Sequence, residues 1–136
     1  MKNVLVTNGS LLSEPLRGLL PLIDAMNVDL KGFTEAYYRW LGGDLETVKN
    51  FIRRAVEFGC HVEVTTLVVP GKNDGDDEVE RLAAWLASLD RDLPLHLSRF
   101  FPRYKVQDRP PTPVARIYRL AELARRHLTY VYEGNC

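Results

Sequence analysis

Four short stretches carry side chains whose types and spacing suit chemistry. Asp29 and Lys31 stand two positions apart in Val28-Asp29-Leu30-Lys31-Gly32, and Glu63 and Thr65 stand two apart, as do His96 and Ser98. In an extended strand, residues i and i+2 share a face, so each pair projects together. A fourth stretch, Thr7-Asn8-Gly9, follows the apolar run Val4-Leu5-Val6. Charged or polar groups at the C-terminal end of a strand are where α/β proteins place ligand chemistry. Lys31 could meet a ligand carboxylate or act as an electrophile, Glu63 could act as an acid or base, and Thr7 and Asn8 could hydrogen-bond a ligand. Each has a structural counterpart: an ion pair for Asp29 and Lys31, a satisfied hydrogen-bond pair for Glu63 and His96, and a turn for Thr7 and Asn8.

The elements that must position these groups alternate along the chain. Val4-Leu5-Val6 opens as a strand, and Ser13-Glu14-Pro15 starts a short helix with Leu16, Leu19 and Leu20 on one face. Pro21 stops that helix. A second strand is expected over Ala25 to Leu30, with Val28 and Leu30 turned toward apolar packing. Thr34 precedes a short helical pattern, 35–41, whose aromatic residues Tyr37, Tyr38 and Trp40 read as packing. Asp44 suits the N-cap of a helix in which Leu45, Val48, Phe51, Ile52, Ala55 and Val56 recur at helical spacing, and Gly59 suits its end. The third strand, His61 to Val69, puts Val62, Val64, Thr66 and Val68 on one face and Glu63, Thr65, Leu67 and Val69 on the other. Asp76 to Leu89 is helical, Leu95 to Phe100 is a fourth strand, and Arg99 to Pro113 is a long proline-rich loop of the kind that often serves function. A last helix follows Pro113, and Leu128 to Tyr132 is a final strand.

This β-α-β-α-β order predicts an α/β fold with a parallel sheet and right-handed crossovers. An open doubly wound sheet or part of a barrel would satisfy it. Polar residues on one face of successive strands favour the barrel, whose inner face tolerates a wet lumen.

The totals narrow the class. With 136 residues, 46% hydrophobic and 26% charged, the composition suits one soluble domain. Eighteen basic residues balance eighteen acidic ones, so no net field argues for nucleic acid or an anionic membrane. No apolar run has the length of a membrane span and no signal-peptide pattern opens the chain, so a cytoplasmic protein is the simplest expectation. Cys60 and Cys136 have neither disulfide-framework nor zinc-motif spacing.

Five segments then occur in register: Thr7-Asn8-Gly9; Val28 to Gly32; Glu63 to Asp74, including Val69-Pro70-Gly71-Lys72-Asn73-Asp74; Pro94 to Lys105; and Tyr130 to Asn135. Together they make the chain resemble radical S-adenosylmethionine enzymes of the pyruvate formate-lyase activating type, in the branch called the AmmeMemoRadiSam system radical SAM enzyme. The resemblance implies the C-terminal part of a partial (β/α)6 TIM-like barrel, with residues 1–136 as the C-terminal portion of a radical SAM domain. The intact parent would then be an oxidoreductase holding S-adenosylmethionine on a [4Fe-4S] cluster. Reductive cleavage would yield a 5′-deoxyadenosyl radical that abstracts hydrogen, in such enzymes from a glycine of a partner. The family's Cys-x3-Cys-x2-Cys and Gly-Gly-Glu-Pro motifs are not in these residues, so this piece alone is expected to bind no cluster and to be inactive.

The resemblance also implies site residues and partners. Thr7, Asn8, Asp29 and Lys31 would lie around the methionine part of the cofactor, with Glu63, Thr65, His96 and Ser98 on the same lumen. A glycyl-radical enzyme or other peptide would be the substrate, flavodoxin or ferredoxin the electron donor, with no nucleic acid and no membrane. The exposed edge near Val4 would be covered by a second copy or by crystal contacts. Departures bear on specificity: Val6 stands where activating enzymes carry an aspartate near a cation site, Thr65 near an arginine position, and Phe101 near a histidine position. Two other classes remain open on the residues alone, a small non-enzymatic α/β binding module and another barrel enzyme using Glu63 and Lys31.

Overall fold

The computed structural model describes residues 3–11, 13–102 and 110–136. Five strands alternate with helices: β1 (Val4–Thr7), α1 (Ser13–Leu19), β2 (Ala25–Asp29), α2 (Glu35–Leu41), α3 (Leu45–Phe58), β3 (His61–Val68), α4 (Asp76–Leu89), β4 (Leu95–Arg99), α5 (Val114–Arg125) and β5 (Val131–Gly134). A 3-10 turn over Leu20–Leu22 ends the α1 segment, with Pro21 in its first positions. Local chemistry sets the other boundaries. The Thr34 hydroxyl accepts from the Tyr37 N–H at 3.2 Å and caps α2. The Asp44 carboxylate accepts from the Thr47 N–H at 2.9 Å and caps α3.

All five strands are parallel and lie in the order β1-β2-β3-β4-β5. Consecutive neighbours with right-handed crossovers send every helix to the same side, so this is the singly wound arrangement of a barrel wall and not a doubly wound sheet. Alternation along each strand then separates two faces. Met26, Val28, Val62, Val64, Leu95 and Leu97 are buried against the helices, together with Phe51, Ile52, Leu82, Leu86, Ile117 and Leu120. Each such side chain contributes about 1.5–3 kcal/mol by leaving water. The opposite face is open, with Val4, Val6, Leu67 and Tyr132 all exposed.

One strand lies later than its apolar pattern suggests. Leu128 to Tyr132 reads as the final strand, but β5 begins at Val131. The N–H groups of His127 and Leu128 both donate to the Ala124 carbonyl at 3.0 Å, carrying the chain round a turn after α5. Leu128 is buried as a core plug from that turn. Of the expected loop between β4 and α5, positions 103–109 lie outside the described residues.

Two buried polar side chains tie the C-terminal ends of the strands to the loops that follow. Asn73 is 1% exposed. Its amide donates to the carbonyls of Lys31 at 2.6 Å and Leu67 at 2.8 Å, while its oxygen accepts from the Val69 N–H at 2.7 Å. Thr112 is fully buried; its hydroxyl donates to the Val68 carbonyl at 2.6 Å and accepts from the Phe100 N–H at 3.1 Å. Substituting Asn73→Ala strips partners from the buried Val69 N–H and from the part-buried carbonyls of Lys31 and Leu67, at about 1–3 kcal/mol for each group left unsatisfied. A loss of about 3 kcal/mol in urea unfolding is expected, and a loss below about 0.5 kcal/mol would show that the pin is dispensable.

Candidate functional site

The open face is ordered by strand register. Val6, Asn27 and Glu63 form one row across β1, β2 and β3. Asp29, Thr65, His96 and Tyr132 form the next row toward the C-terminal ends, across β2 to β5. Leu67, Ser98 and Gly134 form the row beyond it. The expected positions Asp29, Glu63, Thr65, His96 and Ser98 therefore share one surface. Lys31 joins them just past the end of β2.

Thr7 does not join this set. It stands in register with buried Val28, on the helix side, and its hydroxyl accepts from the Gly9 N–H at 3.1 Å. Gly9 itself has φ +70°, and a Cβ there would meet Val48 Cγ1 at 3.0 Å. Asn8 is exposed and its side-chain oxygen accepts from the Ser10 N–H at 3.1 Å, so this turn is built by its own side chains. Asn8, Ser10, Lys31, Tyr38 and Gly43 nevertheless line one cleft of about 130 Å³. It opens beside the ends of β1 and β2, and it brings Asn8 and Lys31 together. A larger groove of about 250 Å³ lies between α1 and α3, lined by Leu16, Arg17 and Phe58 among others, and has no part in the polar face.

Three polar groupings occupy the open face. Lys31 Nζ lies 3.9 Å from Asp29 Oδ2, with both side chains about half exposed. Such a pair contributes at most about 1 kcal/mol, and both groups stay accessible to a ligand. The Thr65 hydroxyl donates to Asn27 Oδ1 at 2.9 Å. Glu63 lies between two imidazoles, with Oε1 2.7 Å from His96 Nε2 and Oε2 3.0 Å from His61 Nε2. An ionised carboxylate only accepts, so each Nε2 bears the hydrogen in that state. Hydrogen bonds from His96 first, then from His61, hold the Glu63 carboxyl below its ordinary range. His96 also stacks on Tyr132, with ring centroids 5.2 Å apart.

Asn27 and His61 belong to this surface although no motif singled them out, and Tyr132, inside the last of the five segments, joins it without having been expected as a site residue. Their signal was positional: Asn27 is two before Asp29, and His61 is two before Glu63. Tyr38, expected as packing, is a core residue whose oxygen accepts from the Lys31 N–H at 2.9 Å. Burial pushes its phenol up to about 12. Cys60 sits partly buried after α3 and burial raises its thiol, whereas Cys136 is exposed. Among the described residues no three His, Cys, Asp or Glu side chains are grouped to hold a metal ion. Cys60 and Cys136 are two thiols, one fewer than the three thiolates that such a cluster takes from this family's motif. Among these residues, too, no helix is long and apolar enough to cross a membrane.

A sequence model of the Radical SAM superfamily matches residues 1–86. An uncharacterized protein of Methanocaldococcus jannaschii is 42% identical over 137 residues, a match that takes in 99% of this chain and 40% of that protein. The chain thus spans 40% of the length of this curated relative. Among solved structures, a domain of a pyruvate-formate lyase-activating enzyme from Bacteroides vulgatus superposes with a TM-score of 0.84 at 15% identity, covering 98% of this chain and 81% of that one. Streptococcus suis SuiB bound to S-adenosylmethionine gives 0.78 at 13% identity, over 100% of this chain and 33% of that one. A radical SAM methyltransferase from Sphaerobacter thermophilus gives 0.68 at 22% identity, over 95% and 39%. At these identities the likeness is one of fold.

The Glu63 cluster has a pH signature. Its carboxyl is lowered from an ordinary 4.5 in the folded state. A depressed acid stabilises fully above the unfolded value and loses that contribution as pH falls through the folded one. The thermal midpoint of the wild type should therefore fall more steeply below pH 4.5 than that of Glu63→Gln. Parallel profiles for the two proteins would remove the hydrogen-bonded carboxylate as a source of acid sensitivity.

Proposed function

The chain belongs to the radical SAM superfamily, and on that premise we propose that its open sheet face is one wall of an S-adenosylmethionine site in a longer, activating-enzyme-like oxidoreductase. The observation that carries this reading is the convergence of Asn27, Asp29, Lys31, Thr65, Glu63 and His96 on one accessible surface. The donor set suits a ligand bearing a carboxylate, an ammonium and a ribose. Lys31 takes the carboxylate. Asp29 offers an anion to a cationic partner, and its neighbour Lys31 keeps it from standing unpaired. Asn8, Asn27 and Thr65 supply uncharged donors and acceptors, and His96 and Ser98 extend the wall along β4.

When bound, S-adenosylmethionine supplies the hydrogen-abstracting power of such enzymes by reductive cleavage, and the protein's share is to bind, orient and exclude water. The cluster that this cleavage requires is not accommodated by Cys60 and Cys136. In this reading its ligands come from residues other than these 136, and the chain alone is inactive. The glycyl-radical or other peptide substrate and a flavodoxin- or ferredoxin-type electron donor belong to the same proposal. So does the pairing of the free β1 edge by a further strand or a second copy, since an unpaired edge is a template for association.

Two measurements on the 136-residue chain test it. Anaerobic treatment with iron and sulfide should leave no [4Fe-4S] absorption, and a chain that assembles a cluster and cleaves the cofactor would overturn the division of labour. Calorimetric titration with S-adenosylmethionine should show binding that weakens about ten-fold or more in Lys31→Met, the scale of a lost charge-assisted hydrogen bond. Equal affinities would remove Lys31 from the site. No binding by the wild type would favour the non-enzymatic binding module.

A further inference from the structure

Lys31 is held in an unusual way for a residue beyond the end of a strand. β2 ends at Asp29, yet the backbone from Leu30 to Phe33 does not drift into a solvated loop. The Leu30 N–H donates to the Thr65 carbonyl at 3.0 Å, the last main-chain bond of the sheet type. After it the partners become side chains. The Thr66 hydroxyl donates to the Leu30 carbonyl at 2.6 Å. The Lys31 N–H donates to Tyr38 Oη at 2.9 Å, and the Lys31 carbonyl accepts from Asn73 Nδ2 at 2.6 Å. The Phe33 N–H donates to Glu78 Oε2 at 2.8 Å. These four side chains come from β3, α2, the loop before α4, and α4 itself.

The packing leaves no slack between them. Tyr38 is 3% exposed and Asn73 is 1% exposed. A Cβ at Gly32 would lie 2.9 Å from Glu78 Oε2 and 2.8 Å from Tyr37 Cδ2, so any side chain there would displace the Glu78 carboxylate from the Phe33 N–H or shift the Tyr37 ring. The Lys31 side chain, by contrast, is 45% exposed and has Asp29 at 3.9 Å. A long, flexible ammonium is thus mounted on a backbone fixed from both sides of its own residue. Such mounting lowers the ordering cost when a ligand takes the ammonium.

We infer that Tyr38 and Asn73 are positioning residues for Lys31, holding its N–H and carbonyl so that the ammonium is presented to a ligand carboxylate in the adjoining cleft. This inference rests on the proposed cofactor wall and adds the residues that aim its cation. Tyr38 contributes through one oxygen atom, and Asn73 couples the aim of Lys31 to the Pro70–Gly75 turn. Asn73 does not line that cleft; Tyr38 does, and its role in this assignment runs through its bond to the Lys31 N–H.

The test combines a double-mutant cycle with a matched control, all in the 136-residue chain titrated with S-adenosylmethionine. Tyr38→Phe keeps the ring and removes the oxygen, and it should weaken binding about ten-fold. In a Lys31→Met background the same change should have no further effect, because its route to the ligand has gone. Thr112→Val removes an equally buried pin that does not touch Lys31; it should lower stability and leave affinity within about two-fold. Amide exchange gives a ligand-free readout: Tyr38→Phe should speed exchange of the Lys31 N–H and spare that of Leu30. Asn73→Asp, which keeps the Val69 bond and loses the donor to Lys31, should reproduce the affinity loss. If Lys31→Met weakens binding while Tyr38→Phe stays within two-fold of wild type, or adds fully in the Lys31→Met background, the positioning role is overturned and the cofactor wall stands. If Lys31→Met changes nothing, or the wild type does not bind, the cofactor wall falls and the positioning role falls with it.

Discussion

A parallel sheet whose strands follow one another in sequence order has one physical consequence that governs this molecule. Every right-handed crossover returns on the same side, so the helices cover one face and leave the other uncovered. The covered face must be apolar, as Val28, Val64, Leu95 and Leu97 are. The uncovered face has no such obligation and can carry Asn27, Glu63, Thr65 and His96 without the several kcal/mol that a dry, unpaired polar group costs. The candidate site is thus a product of topology before it is a product of any motif.

The second constraint acts at the C-terminal strand ends. There the chain leaves the sheet and its N–H and carbonyl groups lose their ladder partners. Thr66, Asn73 and Thr112 replace those partners from inside the protein, each with less than 2% of its surface exposed. Tyr38 does the same with a single oxygen. The outcome is a rim that is rigid in its backbone and free in its functional side chains. Lys31 and Asp29 stand on that rim, whereas Glu63 sits one row deeper and is held by two histidines. In the proposed site the rim would grip a ligand's charged end, and the deeper row would line the space behind it.

Similarity to other radical SAM proteins and the geometry of the open face support the same reading from different directions. The superfamily match covers residues 1–86 and so includes β1, β2, β3 and the helices between them. The polar surface runs on into β4 and β5, where His96, Ser98 and Tyr132 lie beyond that match. The chain spans 40% of the length of the curated relative described above, and among the described residues β1 stands at one edge of the sheet. The turn at Asn8-Gly9 fits less closely to expectation, because the strand register sends Thr7 toward the helices and puts Asn8, but not Thr7, on the cleft.

Period and punctuation alone determined much of this. Alternation in 61–68 separated the dry face of β3 from the wet one, and the spacing of Asp29 with Lys31 and of Glu63 with Thr65 put each pair on one side. Thr34 and Asp44 set helix starts through bonds made within three residues, and Pro21 limits α1 by lacking an N–H, which is why those limits were legible. What was not legible depended on partners distant in sequence. Leu128 looked like a strand residue until the core claimed it as a plug. Asn73 looked like a turn residue until its amide met Lys31, 42 positions away. His61 and His96 became one cluster only because β3 and β4 pair in a register that brings both to Glu63. A local pattern records which way a side chain points along its own element; only the assembled sheet decides what it meets there, because register and packing are settled between elements and not within them.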